Sequence, residues 1–320
     1  MIFDYLADPV TSRLLEENAE ELGRLDALVA MSPGSVPTLL QAWTVARLAT
    51  PNAQAMRVAA AALVASGVEM VHAAALSESL AGWQRRLDDG ERRARSGVVL
   101  GVPEHLQLGA DSRALLLDAL RPGGQPRSVL LRAVCAAGVV EAAGIDAELS
   151  RAELTVEEND RALTHNSAEA ELLAALLLTA AGTTDRVRLL PFAELTTGRA
   201  EAIEAWRCGD TQPYALAALS ALAPAARRLR VQVRLLLDAR ANEDAQLSTI
   251  GRAAVTARRA LQVLRDSQAT SMPDLAQRLD CSRPAAGDAL ERLVELGMAE
   301  EITGRGRDRV YVWAAGWGLG

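Results

Sequence analysis

The sequence contains no lysine, and all 34 of its basic residues are arginine. That absence excludes whole chemistries. A P-loop needs a lysine on the phosphates, a protein kinase needs one to pair the nucleotide, and a pyridoxal enzyme needs one for its Schiff base. Aromatics are nearly as scarce, at 3% against 50% hydrophobic residues overall. The core must therefore be built from Leu, Val and Ala, a composition that favours packed helices. The three cysteines, Cys135, Cys208 and Cys281, are widely separated. They lack metal-ligand spacing and fit reduced thiols better than a disulfide framework. Long apolar runs are missing too, since Ala168 to Gly182 is interrupted by Glu169 and Glu171 and falls short of a membrane span. Met1 to Asp8 carries two acids and no basic cluster, unlike a signal peptide. The expectation is a cytoplasmic protein with no membrane partner.

What is present is a chain of 320 residues with a formal charge of −7, long enough for two domains. Residues 251–312 hold ten Arg against nine Asp and Glu, a balance of +1 that leaves −8 for the remainder. A basic coat for nonspecific nucleic-acid binding is excluded, and any such contact has to be confined to a local arginine cluster.

Ser12 to Met31 has Leu14, Leu15, Leu22, Leu25, Leu28 and Val29 at helical spacing, and Ser32-Pro33-Gly34 ends that helix. Further helices are expected over Pro37–Leu48, Ala53–Leu80, Val129–Ala143, Ala168–Ala181, Glu194–Arg207 and Tyr214–Leu222, and then from about Pro224 to Asp244. Arg85 to Ser96, densely charged around Asp88-Asp89-Gly90, reads as a solvated loop or frayed helix end. Gly97 to Leu108 is the strand-like stretch of this body. Arg121 to Arg127, with Pro122, Gly123, Gly124 and Pro126, is the clearest linker.

The last quarter changes character. Ala254 to Asp266 is helical. Thr270-Ser271-Met272-Pro273-Asp274 has the form of a helix start, with Ser271 as cap, Asp274 reaching back to the cap amide, and Pro273 where a missing N–H is tolerated. That helix is short, ending near Leu279. Asp280-Cys281-Ser282 makes a tight turn, Ser282 caps a helix from Arg283 to Leu296, and Gly297 closes it. Met298 to Thr303 reads as a strand, Gly304 to Asp308 as a turn, and Arg309 to Trp313 as a returning strand with Val310 and Val312 on one face. This order of helix, helix-turn-helix and hairpin resembles the winged-helix modules of MarR-like and ArsR-like regulators.

That resemblance implies binding to double-stranded DNA. On the third helix Ala286, Ala289, Leu290 and Leu293 share the inward face, leaving Ala285, Asp288, Glu291 and Arg292 outward for a major groove. Arg283 and Arg292 can reach guanine edges or phosphates, and Arg305, Arg307 and Arg309 on the wing suit the backbone or minor groove. Ser271, Ser282, Ala285 and Asp288 complete the expected DNA-facing set. Asp288, Glu291 and Glu295 repel phosphate, so a protein-interaction role for the module stands as the alternative.

The preceding body carries a second, looser likeness. Leu172 to Gly182 (LLAALLLTAAG), Leu189-Leu190-Pro191, Arg199 to Arg207 leading into Gly209-Asp210, and Arg305 to Val312 are similar to the C-terminal half of Fic-family proteins, over about half the chain. The family transfers a nucleotide monophosphate using the signature HPFxDGNGR, which is missing here. His165, in Thr164-His165-Asn166-Ser167-Ala168-Glu169, is the only histidine near the expected place. Without glycines, backbone amides cannot close around a diphosphate. The resemblance implies a degenerate Fic-like body, nucleotide-binding or inactive.

Other candidates are weaker. His72 beside Glu69 makes an acid–base pair on paper but suits a core imidazole, and His105 follows Pro103-Glu104 in a loop. Glu157, Glu158, Asn159 and Asp160 with His165 have the donor types of a divalent-ion site, and a solvated helix start explains them equally. Trp43, Trp83 and Trp206 read as core or interface anchors, while Trp313 and Trp317 lie among Gly316, Gly318 and Gly320, docked onto the body or a partner. No catalytic residue, metal or cofactor is assigned. The expectation is a mainly all-α protein, an all-helical body over 1–250 and a winged helix-turn-helix over 251–320, acting as a DNA-binding transcriptional regulator rather than an enzyme. The body is expected to form a homodimer, because so few arginines gain affinity chiefly by pairing half-sites. It has room for a small-molecule effector that nothing in the sequence names.

Overall fold

The computed structural model describes residues 8–49, 74–96, 101–102, 106, 108–121, 128–149, 156–182, 199–250, 255–267, 269–304 and 309–318. Helices dominate: α1 (Pro9–Ala30), α2 (Ser35–Ala49), α3 (Ala74–Arg95), α4 (Ala110–Leu120), α5 (Val129–Leu149), α6 (Val156–Ala180), α7 (Arg199–Arg207), α8 (Gln212–Thr249) and α9 (Val255–Ser267). There follow β1 (Ala269–Ser271), α10 (Met272–Leu279), α11 (Arg283–Glu295), β2 (Ala299–Glu301), β3 (Val310–Trp313) and a short α12 (Ala314–Gly318). The fold is mainly α with one small antiparallel sheet of order β1-β3-β2.

Two expectations are corrected. Arg85 to Ser96 is not a loop, because α3 continues through Arg95. Trp83, Leu87, Gly90 and Ala94 are buried at three- and four-residue spacing, and the charges pair along the outside, Arg92 with Asp89 at 2.6 Å and Arg95 with Glu91 at 3.2 Å. Gly90 permits the burial, since a Cβ there would stand 2.7 Å from the Leu176 side chain. The expected break between Leu222 and Pro224 is also absent, and α8 runs on through Pro224. Of Gly97 to Leu108, the described residues include no strand. Residues 53–73 of the expected Ala53–Leu80 helix and 122–127 of the linker lie outside the described residues.

The chain divides into two compact units, residues 1–30 with 85–230, and residues 31–84 with 231–320. In the first, α5 and α6 carry much of the core through Leu131, Val134, Val140, Ala174 and Leu178. Gly138 of α5 lets the Trp206 ring of α7 come close, and that ring meets Tyr214 edge-on at 5.3 Å. On α1, Asn18 donates from Nδ2 to the Leu219 carbonyl at 2.8 Å. Buried Glu21 meets Arg24 at 2.9 Å and Arg230 at 3.1 Å.

In the second unit the winged helix does not stand alone from 251. Its core of Leu261, Leu264, Leu275, Leu290 and Leu293 also takes in Leu39 of α2 and Leu236 and Leu247 of α8. A 60-residue module buries little surface by itself, and these two helices enlarge its core. Trp313 closes that core fully buried and donates from Nε1 to both oxygens of Glu243 at 3.0 Å. Arg265 lies 5.9 Å from the Trp313 ring and donates to Glu243 and Asp244, each at 2.7 Å. Trp317 is buried in α12. Trp313 is thus a core residue of the second unit.

Candidate nucleic-acid interface

The helix-turn-helix is fixed by local hydrogen bonds that the residue types dictate. Ser271 adopts an extended backbone and its Oγ accepts from the Asp274 amide at 3.3 Å, with Pro273 in the first turn. The Asp274 carboxylate accepts from Thr270 Oγ1 at 2.9 Å and pairs with Arg278 at 3.0 Å. Asp280 then turns left-handed, φ 49, a conformation that a short polar side chain tolerates. The Cys281 amide donates to the Ala276 carbonyl at 3.0 Å, closing α10. Ser282 starts α11 by accepting from the Ala285 amide at 3.4 Å. At the other end Gly297, φ 69, allows the Met298 amide to reach the Leu293 carbonyl at 2.8 Å, satisfying carbonyls the helix would leave open.

Ala286, Ala289, Leu290 and Leu293 are buried as their spacing requires. Arg283, Asp288, Glu291 and Arg292 are exposed and Ala285 is half-buried. Directly opposite the buried set on the helix lie Pro284, Asp288, Glu291 and Glu295, with Arg283 and Arg292 on the margins. Arg292 pairs with Glu295 at 3.1 Å. Arg283 makes no ion pair with any described residue and remains available to a ligand.

The sheet adds what the sequence pattern did not reveal. β1 pairs with β3 through Ala269↔Val312 to Ser271↔Val310, and β2 pairs with the other edge through Ala299↔Trp313 to Glu301↔Tyr311. A three-residue strand is too short to show alternation, and only its partner identifies it. With β3 central, Val310 and Val312 are buried, and so are Tyr311 between them and Trp313 after them.

At the base of the wing the Glu301 carboxylate accepts from the Thr303 amide at 2.7 Å, from the Thr303 hydroxyl, and from the Gly304 amide at 3.0 Å. The Val310 amide donates to Thr303 Oγ1 at 3.3 Å, joining the outgoing and returning arms. Burial pushes the Glu301 carboxyl upward, but the Thr303 hydroxyl and amide, the Gly304 amide and the Arg309 charge outweigh it and hold it below its ordinary value. Arg309 is exposed, and its guanidinium is engaged first by the Tyr311 hydroxyl, which holds its pKa above the ordinary value, with Glu301 and Glu291 adding attraction. Arg305 and Arg307 lie outside the described residues. The Glu301-x-Thr303-Gly304 run was the one sequence signal for this clamp.

Elsewhere in the module arginines serve the fold. Arg258 donates to the Leu247 carbonyl at 3.1 Å and Arg259 to the Leu279 carbonyl at 3.0 Å.

His165 lies within α6. His72, Glu69, His105 and the Leu189-Leu190-Pro191 run lie outside the described residues. Among the described residues no group of three His, Cys, Asp or Glu is placed to hold a metal ion, and no helix is long and apolar enough to cross a membrane. Cys135 is buried, Cys208 exposed and Cys281 between, and none of the three is in a disulfide. No protein-family model and no curated protein matches the chain.

Proposed function

We propose that the chain is a DNA-binding transcriptional regulator that acts in the cytoplasm as a homodimer and contacts the duplex through α11 and the wing. The observation that carries this reading is the order α9-β1-α10-α11-β2-β3 with sheet order β1-β3-β2 and the outer face of α11 left exposed. An exposed second helix of a helix-turn-helix has the diameter and reach for a major groove. Arg283 at the start of α11 is the side chain placed to meet a guanine edge or a phosphate, and the arginines of residues 304–309 supply backbone contacts.

A second reading is favoured by one observation, the exposed acids Asp288, Glu291 and Glu295 at the middle of that face. They oppose phosphate and suit a basic protein surface instead. Fluorescence anisotropy of a labelled random-sequence duplex, titrated at rising salt, separates the two. DNA binding predicts affinity that falls steeply with salt and is abolished by Arg283→Ala with Arg305→Ala, the circular dichroism unchanged. No binding even at about 50 mM salt, or equal affinity in the double variant, refutes the DNA reading and leaves the protein-partner reading.

A further inference from the structure

We infer that Asp288 of α11 selects a base, accepting from the exocyclic amino group of a cytosine on the floor of the major groove. The inference rests on the DNA reading above and gives that reading its sequence preference. Asp288 is the sixth of the thirteen residues of α11, exposed where Ala286, Ala289 and Leu290 around it are buried. It therefore points away from the core, in the leading half of the helix, the half whose residues reach base edges in a helix-turn-helix. The other two acids of that helix are otherwise engaged. Glu295 ends the helix paired with Arg292 at 3.1 Å, and Glu291 lies in the field of Arg309. Among the described residues Asp288 has no ion-pair partner.

The chemistry of the groove decides which base. A carboxylate carried into a groove loses water, and only a hydrogen-bond donor offsets that loss. The walls of the groove are phosphates, which repel it. The floor offers two amino groups, N4 of cytosine and N6 of adenine, whereas guanine presents acceptors and thymine an acceptor and a methyl group. Adenine sets its N7 acceptor beside N6, so a carboxylate that takes the amino hydrogen with one oxygen brings the other towards a lone pair. Cytosine has no acceptor of its own in that groove. The sign that opposes phosphate at the middle of this face is thus the sign that fits cytosine, and it weakens binding to every duplex without one at that level. Arg283 and the wing arginines supply attraction that any sequence receives. Asp288 decides which sequences keep it.

The measurement is selection of bound fragments from a random-sequence duplex pool by the full chain, run for the wild type, Asp288→Ala and Asp288→Asn. The wild type is expected to enrich cytosine at one position, and a duplex with thymine there is expected to bind about tenfold more weakly in competition. Asp288→Ala is expected to lose the preference at that position and to bind random duplex more tightly, because a repelling charge has gone. Asp288→Asn carries an amide that both donates and accepts, which suits N7 and N6 of adenine, so the preferred base is expected to change from cytosine to adenine. Circular dichroism checks that the variants fold. A wild-type motif that survives Asp288→Ala, an Asp288→Asn selection that keeps cytosine, or bound fragments with no common cytosine overturns the inference and leaves the DNA reading standing. A wild type that retains no duplex at low salt overturns the DNA reading, and the inference with it.

Discussion

Removing the Glu243 carboxylate is the sharpest test of how the second unit is held. That carboxylate accepts from Arg265 at 2.7 Å and from Trp313 Nε1 at 3.0 Å, in a setting where the Arg265 side chain is only 3% exposed. Breaking one side of a buried ion pair costs about 3–5 kcal/mol. Arg265 would keep Asp244 and the Arg240 carbonyl, which favours the lower end, while the indole left without an acceptor adds about 1–3 kcal/mol. Glu243→Ala is therefore expected to destabilise by about 4 kcal/mol. Asp244→Ala removes a carboxylate at the same distance from the same guanidinium, but one whose side chain is 53% exposed, and should cost no more than about 1 kcal/mol. Urea unfolding followed by circular dichroism, together with the indole Nε1 resonance of Trp313, reports this unit directly. Equal effects of the two substitutions, or a Glu243→Ala change within about 0.5 kcal/mol, would refute the argument that burial rather than proximity sets the strength of the pair.

Two further outcomes follow from the same geometry. Gly138→Ala introduces a Cβ 2.7 Å from the Trp206 ring and should destabilise by about 1–3 kcal/mol. Gly23→Ala, with nothing within 4 Å, should stabilise α1 by about 0.5–1 kcal/mol, and thermal melts of the two variants distinguish them. The Glu301 carboxyl is held below its ordinary 4.5 in the folded protein. Its contribution is thus complete above about pH 4.5 and is lost as pH falls through the lowered folded value. Protection of the Gly304 amide, its exchange rate taken relative to the intrinsic rate at each pH, should fall over that window, and Glu301→Gln should remove the dependence.

The inward face of α11 was legible in the sequence because Ala286, Ala289, Leu290 and Leu293 repeat at helical spacing, and the Ser271 and Ser282 caps were legible because their chemistry is local. What failed did so where one local signal competed with a distant one. Pro224 signals a break in isolation, and the charges of Arg85 to Ser96 signal solvent. In both places buried residues on the other side of the helix decided for continuity. β1 carried no signal of its own. The module's outer face was read residue by residue, but the ties of Arg292 to Glu295 and of Arg309 to Tyr311 depend on side-chain placement that no spacing reveals. The same holds for Leu39 and Trp313, neighbours in one core and almost the whole chain apart.

That last separation bears on how the protein is made. The first unit has all its parts once residue 230 has left the ribosome. The second draws α2 from near the start and β3 from beyond residue 309, so α2 must wait, at ordinary elongation speeds, for tens of seconds. Throughout that interval Leu39 lacks the core of Leu264, Leu293 and Trp313 that finally surrounds it, and α2 carries that apolar side chain uncovered while the rest of the chain is made.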